Sequence, residues 1–158
     1  MSPPADIPDD IPFPAHAYVP GKTPRHPDGW FDDLRNAAKP GTPLSELHLT
    51  RAFIAGRVYF DAGFFWECHE VLEAVWMQAP DPSPERDFVQ AMIQLANARL
   101  KLRMDRPRAT LRLCEMVEAR TAGYSADDVI LGLPVGYLRS GAAETRDDAL
   151  KHYNSQIG

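Results

Sequence analysis

Prolines are concentrated at the N-terminal end of this chain, where ten of the fifteen lie within residues 1–43. Proline fixes the backbone dihedral φ and lacks the N–H group that helices and sheets use for hydrogen bonding. This stretch is therefore predicted to be an extended, proline-rich arm. It contains more apolar and aromatic residues than a solvated tail needs, so we expect it to pack on the remainder of the chain; these residues are Phe13, Tyr18, Val19, Trp30 and Phe31.

From residue 44 to residue 158 prolines become rare, and apolar residues recur at intervals of three and four. This spacing is typical of helices that bury one face. It predicts a single all-α domain without strands, made of about five helices over residues 44–63, 64–79, 84–104, 107–123 and 134–153. The third helix is apolar on nearly all sides, so we expect it to be central. The short connections favour a helical bundle or a stack of helical hairpins.

Charge and cysteine content exclude several classes of function. A net charge of -5 argues against a nucleic-acid-binding protein that relies on a general basic face. The two cysteines, Cys68 and Cys114, lie in helical segments, which argues against a disulfide framework or a cysteine-rich zinc site. The sequence has neither a signal-peptide pattern nor an apolar run of about 18 residues. We therefore expect a cytoplasmic protein with no membrane span.

The second helix carries His69 and Glu73, which lie about 40° apart around the helix axis and can touch. An imidazole and a carboxylate at this spacing suit a divalent metal ion, and the pattern HExxE is close to the HExxH of zinc peptidases. The alternative is a hydrogen-bonded pair that only fixes the edge of the helix. Glu70 lies beyond Glu73, whereas Glu67 lies about 160° from His69 and cannot share a ligand with it from one straight helix.

The third helix carries one polar stripe, formed by Gln90, Gln94, Asn97 and Lys101. Such a stripe is often a solvated face. Amides are also the residues expected where polar groups must be satisfied inside a bundle. If the stripe faces the second helix, the result is a polar His/Glu/Gln cluster, with members His69, Glu70, Glu73, Gln90 and Gln94 and with Glu67 nearby.

Residues 60–73 read FDAGFFWECHEVLE, and Trp76 follows three residues later. This run resembles the signature E-x-H-E-x-x-E-x-x-W of the domain-of-unknown-function family 309. The run QAMIQLA at residues 90–96 and the pair Arg106-Pro107 continue the resemblance, which covers about residues 48–120. In the arm, YVPG at residues 18–21 followed by Pro24, His26 and Pro27 resembles an element carried by some members of the family.

The resemblance implies a small all-helical protein of bacteria or archaea, and it implies no known reaction. Two positions depart from the family pattern. Ala91 stands where a glycine is usual, and Leu100 stands near the place where several members have a histidine. The second departure removes a candidate metal ligand and weakens the interpretation of this chain as a metal enzyme.

Three hypotheses of function follow. In the first, the chain has no demonstrable enzymatic activity, and the polar cluster is a structural network or a site for a small ligand. In the second, it is a metal-dependent hydrolase in which His69 and Glu73 bind a divalent metal and the arm delivers His26 as a third ligand. In the third, it is an interaction module that binds a protein partner along a groove. Each of the three hypotheses is compatible with a homo-oligomer.

Overall fold

The computed structural model describes residues 10–157, so residues 1–9 of the predicted arm and Gly158 lie outside the described residues. Within this range the chain forms six α-helices, one 3₁₀ helix and one short hairpin, which confirms the all-α class. The α-helices are α1 (Asp32–Arg35), α2 (Arg51–Ala62), α3 (Phe65–Gln78), α4 (Pro84–Arg103), α5 (Pro107–Thr121) and α6 (Val135–Ile157), and the 3₁₀ helix is Leu44–Leu49.

Local sequence explains where the principal helices begin and end. The Ser83 hydroxyl accepts a hydrogen bond from Arg86 N–H, and Pro84 occupies the first position of α4, where its missing N–H has no cost. Gly63 ends α2 in the left-handed conformation with φ 84°. Thr50 has extended backbone and caps α2 through Phe53 N–H, so the first predicted helix is divided into the 3₁₀ helix and α2.

Each long helix packs on the next one along the chain, and α4 contacts α3, α5 and α6. This central position agrees with the nearly continuous apolar surface of α4. Phe88, Val89, Ala91, Ala96 and Ala98 on this helix are all buried. No helix among residues 10–157 is long and apolar enough to cross a membrane.

Two small elements were not predicted. Residues Val129–Ile130 (β1) pair antiparallel with Leu133–Pro134 (β2) across Leu131 and Gly132, which have φ values of 53° and 76°. Positive φ at both central residues is the geometry of a tight hairpin turn. The expectation of no strand is therefore wrong at this place, because strands of two residues are too short to show alternation. The helix α1 lies in a proline-free part of the arm, where proline does not oppose it.

Close packing between α2 and α3 depends on Gly56. A Cβ atom at this position would overlap the Leu72 side chain, which is fully buried. We expect Gly56→Ala to lower the free energy of unfolding by about 1–3 kcal/mol, because overpacking forces neighbouring atoms to move. Urea denaturation measures this loss. Gly123→Ala is the control, since nothing lies within 4 Å of its added Cβ; equal losses from the two variants would contradict the explanation.

Candidate functional site

The arm is held along α2 and α3 by aromatic and apolar contacts. The Tyr59 hydroxyl donates a hydrogen bond to the Pro12 carbonyl at 2.5 Å. The Phe13 ring meets Tyr59 and Phe64 edge to face, with ring centroids 5.5 and 5.2 Å apart. Val19 is buried in a small cluster with Phe65 and Leu100. These contacts fix the path of the arm across the two helices.

A turn in the arm then directs a backbone donor at α3. Val19 N–H donates to the Thr23 hydroxyl at 2.7 Å, and Thr23 N–H donates back to the Val19 carbonyl at 3.0 Å. Gly21 adopts φ 82°, a conformation that glycine takes without steric cost. The turn leaves Tyr18 N–H free to donate to Glu67 Oε2 at 2.7 Å.

Glu67 is the centre of this contact. Its side chain has an exposed fraction of 0%, and its Oε2 atom also lies 2.5 Å from Nε2 of His26, whose side chain is 4% exposed. A carboxylate oxygen accepts, so Nε2–H of the imidazole is the donor. The other oxygen, Oε1, is buried and has no hydrogen-bond partner among the described residues. The arm and α3 thus bury an acid–imidazole pair between residues 41 positions apart in the sequence.

Aromatic rings surround His26. The centroid of its ring lies 5.0 Å from that of His16, 5.4 Å from that of Phe31 and 5.9 Å from that of Trp66. The His26 ring also lines a cavity of about 360 Å³ between the arm, α1 and α3, which we call the arm cleft. Its other lining residues are the aromatic Tyr18, Trp30, Phe31 and Trp66, the charged Arg25, Asp28, Asp32, Arg35 and Glu70, and Pro27 and Gly29.

Arg35 connects α1 to the carboxylates of α3. Its guanidinium donates to the Glu70 carbonyl oxygen. It also lies 3.7 Å from Glu70 Oε2 and 3.7 Å from Glu73 Oε1. The charge of Arg35 is therefore already faced by two acids at the edge of the arm cleft.

The residues predicted to form one polar cluster lie in separate places. Glu67 and Glu70 face the arm. His69 Nε2 lies 3.5 Å from Glu73 Oε2, and both line a second cavity of about 500 Å³ with Gln90. Gln94 lines a third cavity of about 620 Å³ at α5. Because α4 packs against both α3 and α5, the rotation of about 40° between Gln90 and Gln94 is enough to place them in different cavities.

The structure brings His26 to α3, where it contacts Glu67. Among residues 10–157, no group of three or more histidine, cysteine, aspartate or glutamate side chains could hold a metal ion. His69 and Glu73 are therefore not joined by His26 in a three-ligand set. The His26–Glu67 pair was not predicted, because helical spacing shows only which residues share a face of one helix, and His26 lies outside α3. The signal that could have found it is the predicted packing of the arm, which carries His26, on the helices.

Three further side chains of the helices, Trp76, Cys68 and Cys114, do not line the arm cleft. Trp76 is half-buried, and the Arg86 guanidinium lies 3.8 Å from its ring centroid. Burial raises the pKa of the Cys114 thiol to about 11 and that of the Cys68 thiol well above its ordinary value. Both thiols are therefore protonated at neutral pH and are poor nucleophiles.

Residues 53–113 match a family model described as Domain of unknown function (DUF309). The match includes all of α3 and α4, and it confirms the family resemblance. No curated protein and no solved structure shows a significant match to the chain.

Proposed function

We propose that this protein binds a small organic cation with a planar ring in the arm cleft. The observation that carries the proposal is the buried His26–Glu67 pair, which holds an imidazole at the wall of a cavity lined by aromatic rings. The proposal keeps the small-ligand hypothesis and moves its centre from His69 and Glu73 to Glu67 and the arm.

The burial of this pair supports a binding role. Removing a carboxylate and an imidazole from water carries a desolvation cost, which well-packed apolar residues at the same positions would not have. Apolar side chains could therefore hold the arm equally well. A carboxylate that accepts a hydrogen bond from an imidazole also fixes the tautomer and the orientation of the ring, which apolar side chains cannot do. With Nε2–H on Glu67, the Nδ1 edge of His26 is left as a hydrogen-bond acceptor for a ligand.

The lining of the arm cleft indicates the charge of that ligand. Three carboxylates, those of Asp28, Asp32 and Glu70, line it beside two guanidinium groups, those of Arg25 and Arg35. Arg35 also lies 3.7 Å from Glu73, an acid that is not part of the lining. The surplus of negative charge favours a cation.

The shape of the lining indicates a planar group. The rings of Tyr18, Trp30 and Trp66 line the arm cleft, and aromatic faces attract cations, tryptophan most strongly. The volume of about 360 Å³ lies within the range of small-molecule sites. An amidinium or a protonated aromatic amine combines the required charge, flatness and hydrogen-bond donors.

Benzamidine is a suitable probe, because it is a planar aromatic cation. We expect it to bind and to change the fluorescence of Trp30 and Trp66, whereas benzoate, which has the same shape and the opposite charge, should not. Titration of the full chain with each compound, followed by tryptophan fluorescence and by backbone amide shifts, measures this difference. Equal binding of benzoate, or amide shifts confined to other cavities, would contradict the proposal.

Two neighbouring aspartates on α1 provide a matched pair of variants. Asp32 lines the arm cleft, while Asp33 is exposed and does not line it. Removing one exposed charge changes an interaction by a fraction of a kilocalorie to about 1 kcal/mol. Asp32→Asn should therefore weaken benzamidine binding by about two- to fivefold, and Asp33→Asn should leave it unchanged.

The other two hypotheses have less support. A catalytic zinc ion takes three protein ligands, and the metal-dependent hydrolase hypothesis has His69 and Glu73 as its two candidates on α3, with the amides of Gln90 and Asn97 in the same cavity. The interaction-module hypothesis has no specific contact in its favour. Both stay predictions from the sequence.

A further inference from the structure

Gln94 has an unusual environment for an amide. It lies in the middle of α4, its exposed fraction is 5%, and its Oε1 atom is buried with no hydrogen-bond partner among the described residues. A buried polar atom without a partner destabilises the folded state, because the atom loses its hydrogen bond to water on folding. Leucine at this position would bury similar surface without that cost. Packing alone therefore does not explain a glutamine here.

Gln94 also lines the largest of the cavities described above, which lies between α4, α5 and the segment after α5, and which we call the α4–α5 groove. Met116, Ala119 and Gly123 give this groove an apolar wall. The terminal torsion of a glutamine has a broad, roughly twofold profile. Rotation about it is therefore allowed, and a half-turn exchanges the positions of the amide oxygen and the amide nitrogen.

The charged groups at the far end of the α4–α5 groove already pair with one another. The Tyr124 hydroxyl donates to Asp87 Oδ2 at 2.7 Å, and Arg120 Nη1 lies 3.6 Å from Asp87 Oδ1. The hydrogen bond to Asp87 raises the pKa of Tyr124 to about 12, so this hydroxyl stays a donor at neutral pH. A charged ligand would have to break these pairs, whereas an uncharged one would not.

We propose that the α4–α5 groove is a binding site for a small uncharged molecule that carries a carboxamide. A primary amide has both donors and acceptors. The ligand's N–H group donates to Gln94 Oε1, and its carbonyl oxygen accepts from Gln94 Nε2–H. The apolar remainder of the ligand packs on Met116 and Ala119. This site is independent of the arm cleft and of the function proposed for it.

Benzamide tests the proposal, because it is a neutral compound of nearly the same shape as benzamidine and benzoate. With the full chain, we expect benzamide to shift the backbone amides of residues 116–124, and the two charged compounds to bind there more weakly. Gln94→Leu should weaken benzamide binding by about tenfold or more, which corresponds to the loss of a hydrogen-bonded pair. The same variant should have an equal or higher thermal midpoint, an outcome that a purely structural role for Gln94 does not give.

Two control variants make the result decisive. Gln90→Leu changes the same residue type on the same helix but at a different cavity, and it should leave benzamide binding unchanged. Ala119→Leu fills the α4–α5 groove from an exposed position of α5 and should block binding even if Gln94→Leu fails to fold. The proposal is overturned if benzamide fails to bind the unaltered protein, or if it binds Ala119→Leu as well as the unaltered protein.

Discussion

Replacing Glu67 with alanine is expected to lower the free energy of unfolding by about 2–6 kcal/mol, because two buried donors lose their acceptor and each such loss costs about 1–3 kcal/mol. The variant leaves His26 Nε2–H and Tyr18 N–H facing a buried site without an acceptor. Urea denaturation measures the loss. We also expect the arm to detach, so that trypsin cuts at the exposed Lys22 and Arg25 much faster than in the unaltered protein.

The neighbouring Glu70 provides the control for this result. Its side chain is 28% exposed, and it lies 3.7 Å from Arg35 rather than in a buried pair. Glu70→Ala should therefore cost less than about 1 kcal/mol, as is usual for partly exposed ion pairs. Glu67→Gln keeps an acceptor oxygen for Tyr18 N–H and should fall between the two alanine variants. If Glu67→Ala and Glu70→Ala lose equal stability, or if the arm stays resistant to trypsin, the buried pair does not hold the arm.

Most of the fold follows from signals within short stretches of sequence. Ser83 and Pro84 mark the start of α4, and Gly63 marks the end of α2, because capping and left-handed backbone are local properties. The position of α4 at the centre follows from its composition, since a helix that is apolar on all sides must be covered by others. The short hairpin at Val129–Pro134 has no such signal, because its strands have two residues each.

The candidate site depends on contacts between distant parts of the chain, which periodicity does not describe. Helical geometry correctly separates Glu67 from His69. Because of that separation, the spacing favours a site at His69 and Glu73 instead. Nothing in the spacing of α3 reveals that Glu67 faces the arm. The contact between the arm and Glu67 depends on the turn at Gly21, which directs Tyr18 N–H and His26 to that one carboxylate.

The polar stripe of α4 shows the same limitation on a smaller scale. Gln90 and Gln94 lie close together around the helix, and the sequence therefore placed them in one network. The two glutamines nevertheless line different cavities, because α3 covers the edge of α4 beside Gln90 and α5 covers the edge beside Gln94. A stripe can thus be identified from sequence, while the cavity that each member lines depends on how the neighbouring helices pack.

Tyr59→Ala is expected to cost about 3–5 kcal/mol, as large-to-small changes of buried aromatic residues do. Tyr59 is fully buried, and its ring contacts Phe13, Phe31 and Phe64. Burial, together with the charge of Glu67, raises the pKa of its hydroxyl far above the ordinary value. The hydroxyl therefore stays a hydrogen-bond donor to the Pro12 carbonyl at neutral pH.

Tyr59→Phe separates the contribution of ring packing from that of the hydroxyl, since it keeps the ring and removes only the hydrogen bond to the arm. We expect it to cost about 0.5–1.5 kcal/mol, the net value of one such bond. Because Tyr59 holds the beginning of the arm and Glu67 holds its middle, Tyr59→Phe should hardly change the rate of trypsin cleavage at Lys22 and Arg25. Urea denaturation and limited proteolysis on the same samples measure both quantities. A rate as high as that of Glu67→Ala would mean that the arm detaches as one unit, and that the His26–Glu67 pair alone does not hold the arm on α3.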